Sequence, residues 1–137
     1  MRTLKALVMM AAVAAVVVPA AARGADAVRA NIPFEFTVAG VTLPAGNYQF
    51  ENHNMPQAMV VGSLDQQARV MVVARPAYAP ASARVESRVV FNRYGNRCFL
   101  AEFWSASNGQ GTRVSKSRQE REASLKASAH IVLVAAR

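Results

Sequence analysis

Apolar and polar residues alternate along most of this chain, and the alternation has the period of two expected of half-buried β-strands. Ile32, Phe34, Phe36 and Val38 fall on one side of a segment whose other side carries Pro33, Glu35 and Thr37. Pro33 cannot donate to a ladder, which predicts an edge or a strand start there. Ala39-Gly40 turns the chain, and Val41 and Leu43 lead to a second turn at Pro44-Ala45-Gly46. Tyr48 and Phe50 share a face of the next strand, and Ala58 to Val61 forms a short apolar one. Arg69 to Arg75 is β-prone and apolar on both faces, which predicts a central strand. Pro76 to Ala81 reads as an extended connection.

The segment 84–104 is the strongest hairpin signal. Asn92 suits the first position of a type I turn and Gly95 the last. Pairing Asn92 with Asn96 places Val85, Ser87, Val89 and Phe91 on one face with Arg97, Phe99, Ala101 and Phe103, and sets Glu86 opposite Glu102. Residues 105–112 read as a flexible loop rich in Gly and Ser. Ser117 and Glu120 form an S-x-x-E capping box for a helix over about residues 118–127, supported by Arg118/Glu122 and Glu122/Lys126 at i,i+4 spacing. Leu125, its only large apolar residue, is the expected anchor to the domain. Ile131 to Val134 is a last short strand. The sum is an all-β fold: an antiparallel β-barrel or sandwich of about seven strands with one peripheral helix near the C-terminus.

The N-terminal residues change the picture, because they do not belong to that pattern. A basic Met1–Lys5 precedes an unbroken apolar run from Ala6 to Val18, Pro19 breaks it, and small residues follow. This is a signal-peptide layout, with cleavage expected after Ala27 or after Ala22. The apolar run is shorter than the roughly 20 residues of a comfortable membrane span. Residues 1–27 are therefore assigned to a cleaved signal peptide and 28–137 to a single β-rich domain, with no transmembrane span after cleavage. The expected location is the periplasm or the extracellular space.

Export implies an oxidising compartment, yet Cys98 is the one cysteine of the chain, so stability must come from packing, and its thiol either packs or joins two chains. The full chain has a net charge of +8; the leader holds Arg2, Lys5 and Arg23 against Asp26, leaving +6 on the mature protein. For an exported protein this favours an anionic partner: envelope polysaccharide, a lipid headgroup or an acidic protein. Nucleic acid is excluded as a partner by export and by the scattered arginines. Arg93, Tyr94 and Arg97 at the hairpin tip form one candidate partner-binding surface. The segment 113–126 adds Arg113, Lys116, Arg118 and Arg121, with Lys126, against Glu120 and Glu122, a local net of +3.

Catalytic and metal chemistry find little support. Metal motifs need three or four ligands at workable spacing, and the chain offers His53, His130 and Cys98 without any such spacing. No G-x-S-x-G occurs. Glu86 and Glu102, if opposed, would lie near the roughly 5 Å separation used by retaining glycosidases, but Arg84 and Arg88 beside them make a solvated charge ladder the simpler reading. No cofactor is expected.

The stretches Asn31-Ile32-Pro33-Phe34-x-Phe36, Leu43-Pro44-Ala45-Gly46-x-Tyr48, Phe91-x-Arg93-Tyr94-Gly95 with Phe99-Leu100 and Trp104, and Lys116-Ser117-x-Gln119-Glu120 resemble a family of small exported bacterial β-rich proteins of uncharacterised function. The resemblance spans nearly all of the mature chain and implies a secreted β-rich domain; it supplies no activity or ligand. Three functions are weighed in order: a non-catalytic structural or binding domain of the bacterial cell envelope, a carrier of a small apolar ligand in a barrel cavity, and an envelope hydrolase using Glu86 and Glu102.

Overall fold

The structure, a computed structural model, describes residues 27–52, 57–65, 67–107 and 109–137. The segment 1–27, expected to be a signal peptide, therefore lies outside the described residues apart from Ala27, as does His53. Among the described residues there are ten strands and one short helix.

Eight strands follow one another edge to edge. β1 (Ala27–Ile32) pairs with β4 (Gly46–Glu51), β4 with β5 (Ala58–Ser63), and β5 with the first half of β6 (Arg69–Tyr78). The second half of β6 pairs with β9 (Gln110–Val114), β9 with β8 (Arg97–Ser105), β8 with β7 (Arg88–Tyr94), and β7 with β10 (His130–Ala135). All of these pairs are antiparallel. A small hairpin of β2 (Phe36–Val38) and β3 (Val41–Leu43) lies beside β8, with Thr37 meeting Phe99 in parallel. Arg29 and Arg137 exchange two backbone hydrogen bonds, 3.1 and 2.9 Å, between β1 and the residues after β10. No ladder forms there, and the sheet is not a closed barrel.

Alternation fills the interior. Val28 and Ile32 from β1, Phe36 from β2, Tyr48 and Phe50 from β4, Met59 and Val61 from β5, Val89 and Phe91 from β7 and Leu100 and Phe103 from β8 form one apolar cluster. Rings from different parts of the sheet meet inside it: Phe36 lies 5.3 Å from Phe91 and 4.9 Å from Tyr48, and Phe50 lies 6.0 Å from Phe103. These are the edge-to-face and tilted spacings at which aromatic pairs attract. Cys98 is buried in the same cluster.

The strand count is ten rather than about seven for three reasons. The single strand expected at 31–38 is two, broken after Ile32 where Pro33 offers no N–H, and β1 reaches back to Ala27. Val41–Leu43 is a strand in its own right, joined to β2 through Ala39-Gly40. β9 occupies residues read as loop.

β6 lies between β5 and β9, but it is not buried on both faces: Met71 and Val73 are exposed. It also continues through Pro76 to Tyr78, where a connection was expected. Proline is tolerated because the ladder to β5 ends at Val73, so from Pro76 onward the strand bonds on the β9 side only.

The 84–104 hairpin forms in a different register. Its turn is Gly95-Asn96, with Tyr94 opposite Arg97 and Asn92 opposite Phe99. Gly95 has φ +61° and Asn96 does not have a positive φ, the type II′ signature, whose twist matches the flanking strands where a type I turn would splay them. Phe91 meets Leu100 but Val90 meets Glu102, so Ala101 is an extra residue, a bulge that re-aims the rest of β8. Leu100 and Phe103 therefore both face the interior, and Phe99 and Ala101 face away. Residues 84–87 precede β7, so Glu86 does not oppose Glu102, and the carboxylate pair on which the hydrolase reading depended is absent.

The helix α1 covers Arg118–Ser124. Ser117 caps it as expected, its Oγ accepting the Glu120 N–H at 3.2 Å, and Arg118 pairs with Glu122 at 3.2 Å. Leu125 is not the anchor; it is 87% exposed. The helix is held instead by Ala123, which packs with Tyr94 and Phe99, and by the Glu120 side chain, which is buried. Among the described residues no helix is long and apolar enough to cross a membrane.

Candidate functional site

The outer face of β10, β7, β8, β9 and β6 carries two parallel rows of side chains, fixed by the register. One row runs Ala135, Arg88, Trp104, Gly111, Ala77. The other runs Leu133, Val90, Glu102, Arg113, Arg75.

Trp104 organises the first row. Its ring lies flat over Gly111, so close that a Cβ on that glycine would stand 2.6 Å from Cδ2 and Cε3. The Arg88 guanidinium sits over the other side, 5.3 Å from the ring centre, and Ala77 and Val90 complete a small second cluster. The missing side chain at Gly111 is what gives the indole its seat. The indole Nε1–H donates to Glu102 Oε1 at 3.0 Å, and the Arg113 Nε–H donates to Glu102 Oε2 at 3.3 Å, so both carboxylate oxygens are engaged.

The second row borders a groove. Its floor is aliphatic, with Val90 and Ala101; Ile131 lies at one end, Arg75 and Arg113 at the other, and Lys116 and Glu120 form the wall. Glu120 is buried, and its Oε2 accepts from the Tyr94 hydroxyl at 2.9 Å and from Asn92 Nδ2 at 3.1 Å. Burial, the hydrogen bond to Glu120 and the charge of that carboxylate together push the Tyr94 phenol up to about 12. This hydroxyl thus stays protonated and holds the carboxylate in place. Burial also raises the Cys98 thiol, against the pull of the nearby Arg93 charge, so the thiol is neither exposed nor activated.

The residues expected from sequence divide accordingly. Docking of α1 on the hairpin brings Arg93, Tyr94 and Arg97 to the same end as the helix. Tyr94 is buried there rather than displayed, so it is a structural tie and not part of an exposed surface. Arg93 is exposed, its Nε–H donating to the Gly95 carbonyl at 2.8 Å, and Arg97 covers the Phe99 ring at 5.0 Å. Arg118 and Arg121 are exposed on the helix. Arg113 and Lys116 belong to the groove instead. Sequence reasoning missed Arg75. The alternation of Arg69, Met71, Val73 and Arg75 already placed it on one face, but its position beside Arg113 required β9, which was not foreseen.

Among the described residues no group of three or more His, Cys, Asp or Glu side chains could hold a metal ion. Compared with protein families, curated proteins and solved structures, the chain matches none.

Proposed function

We propose that this chain is an exported, non-catalytic binding domain of the bacterial cell envelope, acting on an anionic partner. The observation that carries the reading is the outer-face groove, where Arg75 and Arg113 stand side by side on neighbouring strands and Lys116 joins them, with one carboxylate, Glu102, paired to Arg113. Like charges directly opposite one another across strands cost stability, and an incoming anion offsets that cost. The signal-peptide layout and the resemblance to exported β-rich proteins support the location. The meeting of Phe36, Phe91 and Tyr48 rings inside the sheet counts against a ligand carried in its interior.

Cell fractionation with intact-mass analysis, followed by chromatography on a heparin-like matrix, tests the reading. A periplasmic or extracellular species beginning after Ala22 or Ala27, retained at about 0.1 M salt and released well before 1 M as the Debye length falls from about 10 to 3 Å, is the expected result. A species that keeps Met1 in the inner membrane overturns the location. A small apolar molecule released on denaturation replaces the reading with the carrier.

A further inference from the structure

We infer that the outer-face groove docks an extended polypeptide segment that is apolar at one end and acidic at the other. The inference rests on the binding-domain reading above and names its partner. The second row of side chains crosses five strands, from Leu133 through Val90, Glu102 and Arg113 to Arg75. At about 4.8 Å per strand it spans about 19 Å, the length of about six extended residues. Its character changes along the way. Leu133 and Ile131, on the edge strand β10, are 62% and 72% exposed, an aliphatic pair with no cover. Arg113 and Arg75 lie at the other end with Lys116 beside them.

The charges at that end are incomplete. Glu102 serves Arg113 and is held by the Trp104 indole. Glu120 is committed to Tyr94 and Asn92. Among the described residues neither Arg75 nor Lys116 has an ion-pair partner. A carboxylate from outside would do for Arg75 what Glu102 does for Arg113, in the fork geometry guanidinium groups favour.

Two other anionic partners fit less well. Sugar rings are held by stacking on exposed aromatic faces, and the aromatic side chains nearest the groove, Trp104 and Tyr94, are buried. A bilayer is broad and flat, whereas this surface is walled by Lys116 and Glu120. An extended peptide matches both the length of the row and its change from aliphatic to cationic, burying apolar side chains against Leu133, Val90 and Ile131 while its carboxylates reach Arg113, Arg75 and Lys116.

Fluorescence polarisation of the purified protein with a labelled, capped peptide of three leucines followed by three glutamates tests this directly. Arg75→Gln, Lys116→Gln and Leu133→Asp should each weaken binding by about tenfold, Arg75→Lys should lose less than Arg75→Gln, and Arg121→Gln on the helix should change nothing. A peptide of the same composition with Leu and Glu alternating should bind more weakly. Thermal melts check that each variant is folded, which the exposure of these side chains favours. Equal binding of the two peptides, or an equal loss in Arg121→Gln and Arg75→Gln, overturns the groove. Binding of polygalacturonate or of phosphatidylglycerol-containing vesicles without the peptide overturns the polypeptide partner and keeps the envelope-binding reading. Binding of none of the three probes overturns both.

Discussion

Replacing Gly111 by alanine probes the contact on which the outer face is built. The new Cβ would stand 2.6 Å from Cδ2 and Cε3 of Trp104 and 2.8 Å from Cε2. Carbon atoms rest at about 3.5–4.0 Å, so the indole has to lift by about 1 Å. It has little freedom to do so, because Trp104 is 6% exposed, Arg88 covers it, and its Nε1–H is bonded to Glu102 at 3.0 Å. Overpacking of this kind costs about 1–3 kcal/mol, and the reduced freedom of the unfolded chain returns about 0.4–1 kcal/mol. Taking the middle of each range, the expected net loss is about 1.3 kcal/mol. Trp104 is the sole tryptophan of the chain, so its fluorescence during urea unfolding reports on the perturbed site itself. Far-UV circular dichroism then follows a double-mutant cycle with Trp104→Ala. In that background the clash is gone, and Gly111→Ala should be neutral or slightly stabilising, giving a coupling of about 1–3 kcal/mol. A Gly111→Ala protein as stable as the parent, or one whose loss persists without the indole, refutes the account of Gly111 as the seat of Trp104.

Further measurements reach other parts of the fold. Ala39 holds φ +51° and Gly40 φ +78° in the two-residue turn between β2 and β3, a type I′ turn that prefers Asn-Gly; Ala39→Asn should stabilise the protein by about 0.5–1 kcal/mol in denaturant melts. Tyr94, raised from 10.0 to about 12 chiefly by burial, favours the folded state while protonated. Stability should therefore be retained below about pH 10 and fall as the pH rises toward 12, and Tyr94→Phe should reduce that fall, measured as the change in urea midpoint with pH. Some of the slope remains in that variant, because burial raises Tyr48 as well. Leu125→Ser should leave the unfolding free energy from urea melts within about 0.5 kcal/mol of the parent, as expected for a side chain 87% exposed.

Local patterns along the chain were enough to establish that it is a β protein. Tyr48 and Phe50, Met59 and Val61, and Val89 and Phe91 are spaced to point inward, and they do, because side-chain direction in a strand is a property of neighbouring residues alone. The Ser117 cap is equally local and formed as read. Pairing is not local. Asn92 to Gly95 and Gly95-Asn96 both offer turn chemistry, and only the register with Asn92 opposite Phe99, together with the Ala101 bulge, buries Phe91, Leu100 and Phe103 in one core while β8 also meets β9 and β2. β9 was invisible for the same reason: Gly109 and Gly111 speak for a loop until the Trp104 ring of the neighbouring strand occupies the space a side chain would have taken. Glu120 looked like half of a capping box, but a buried carboxylate needs donors, and Tyr94 and Asn92 from β7 supplied them. The groove followed from these long-range choices. Composition announced a basic protein, whereas the placement of Arg75 beside Arg113, with Glu102 of β8 paired to Arg113 alone, depended on which strands found each other across the chain.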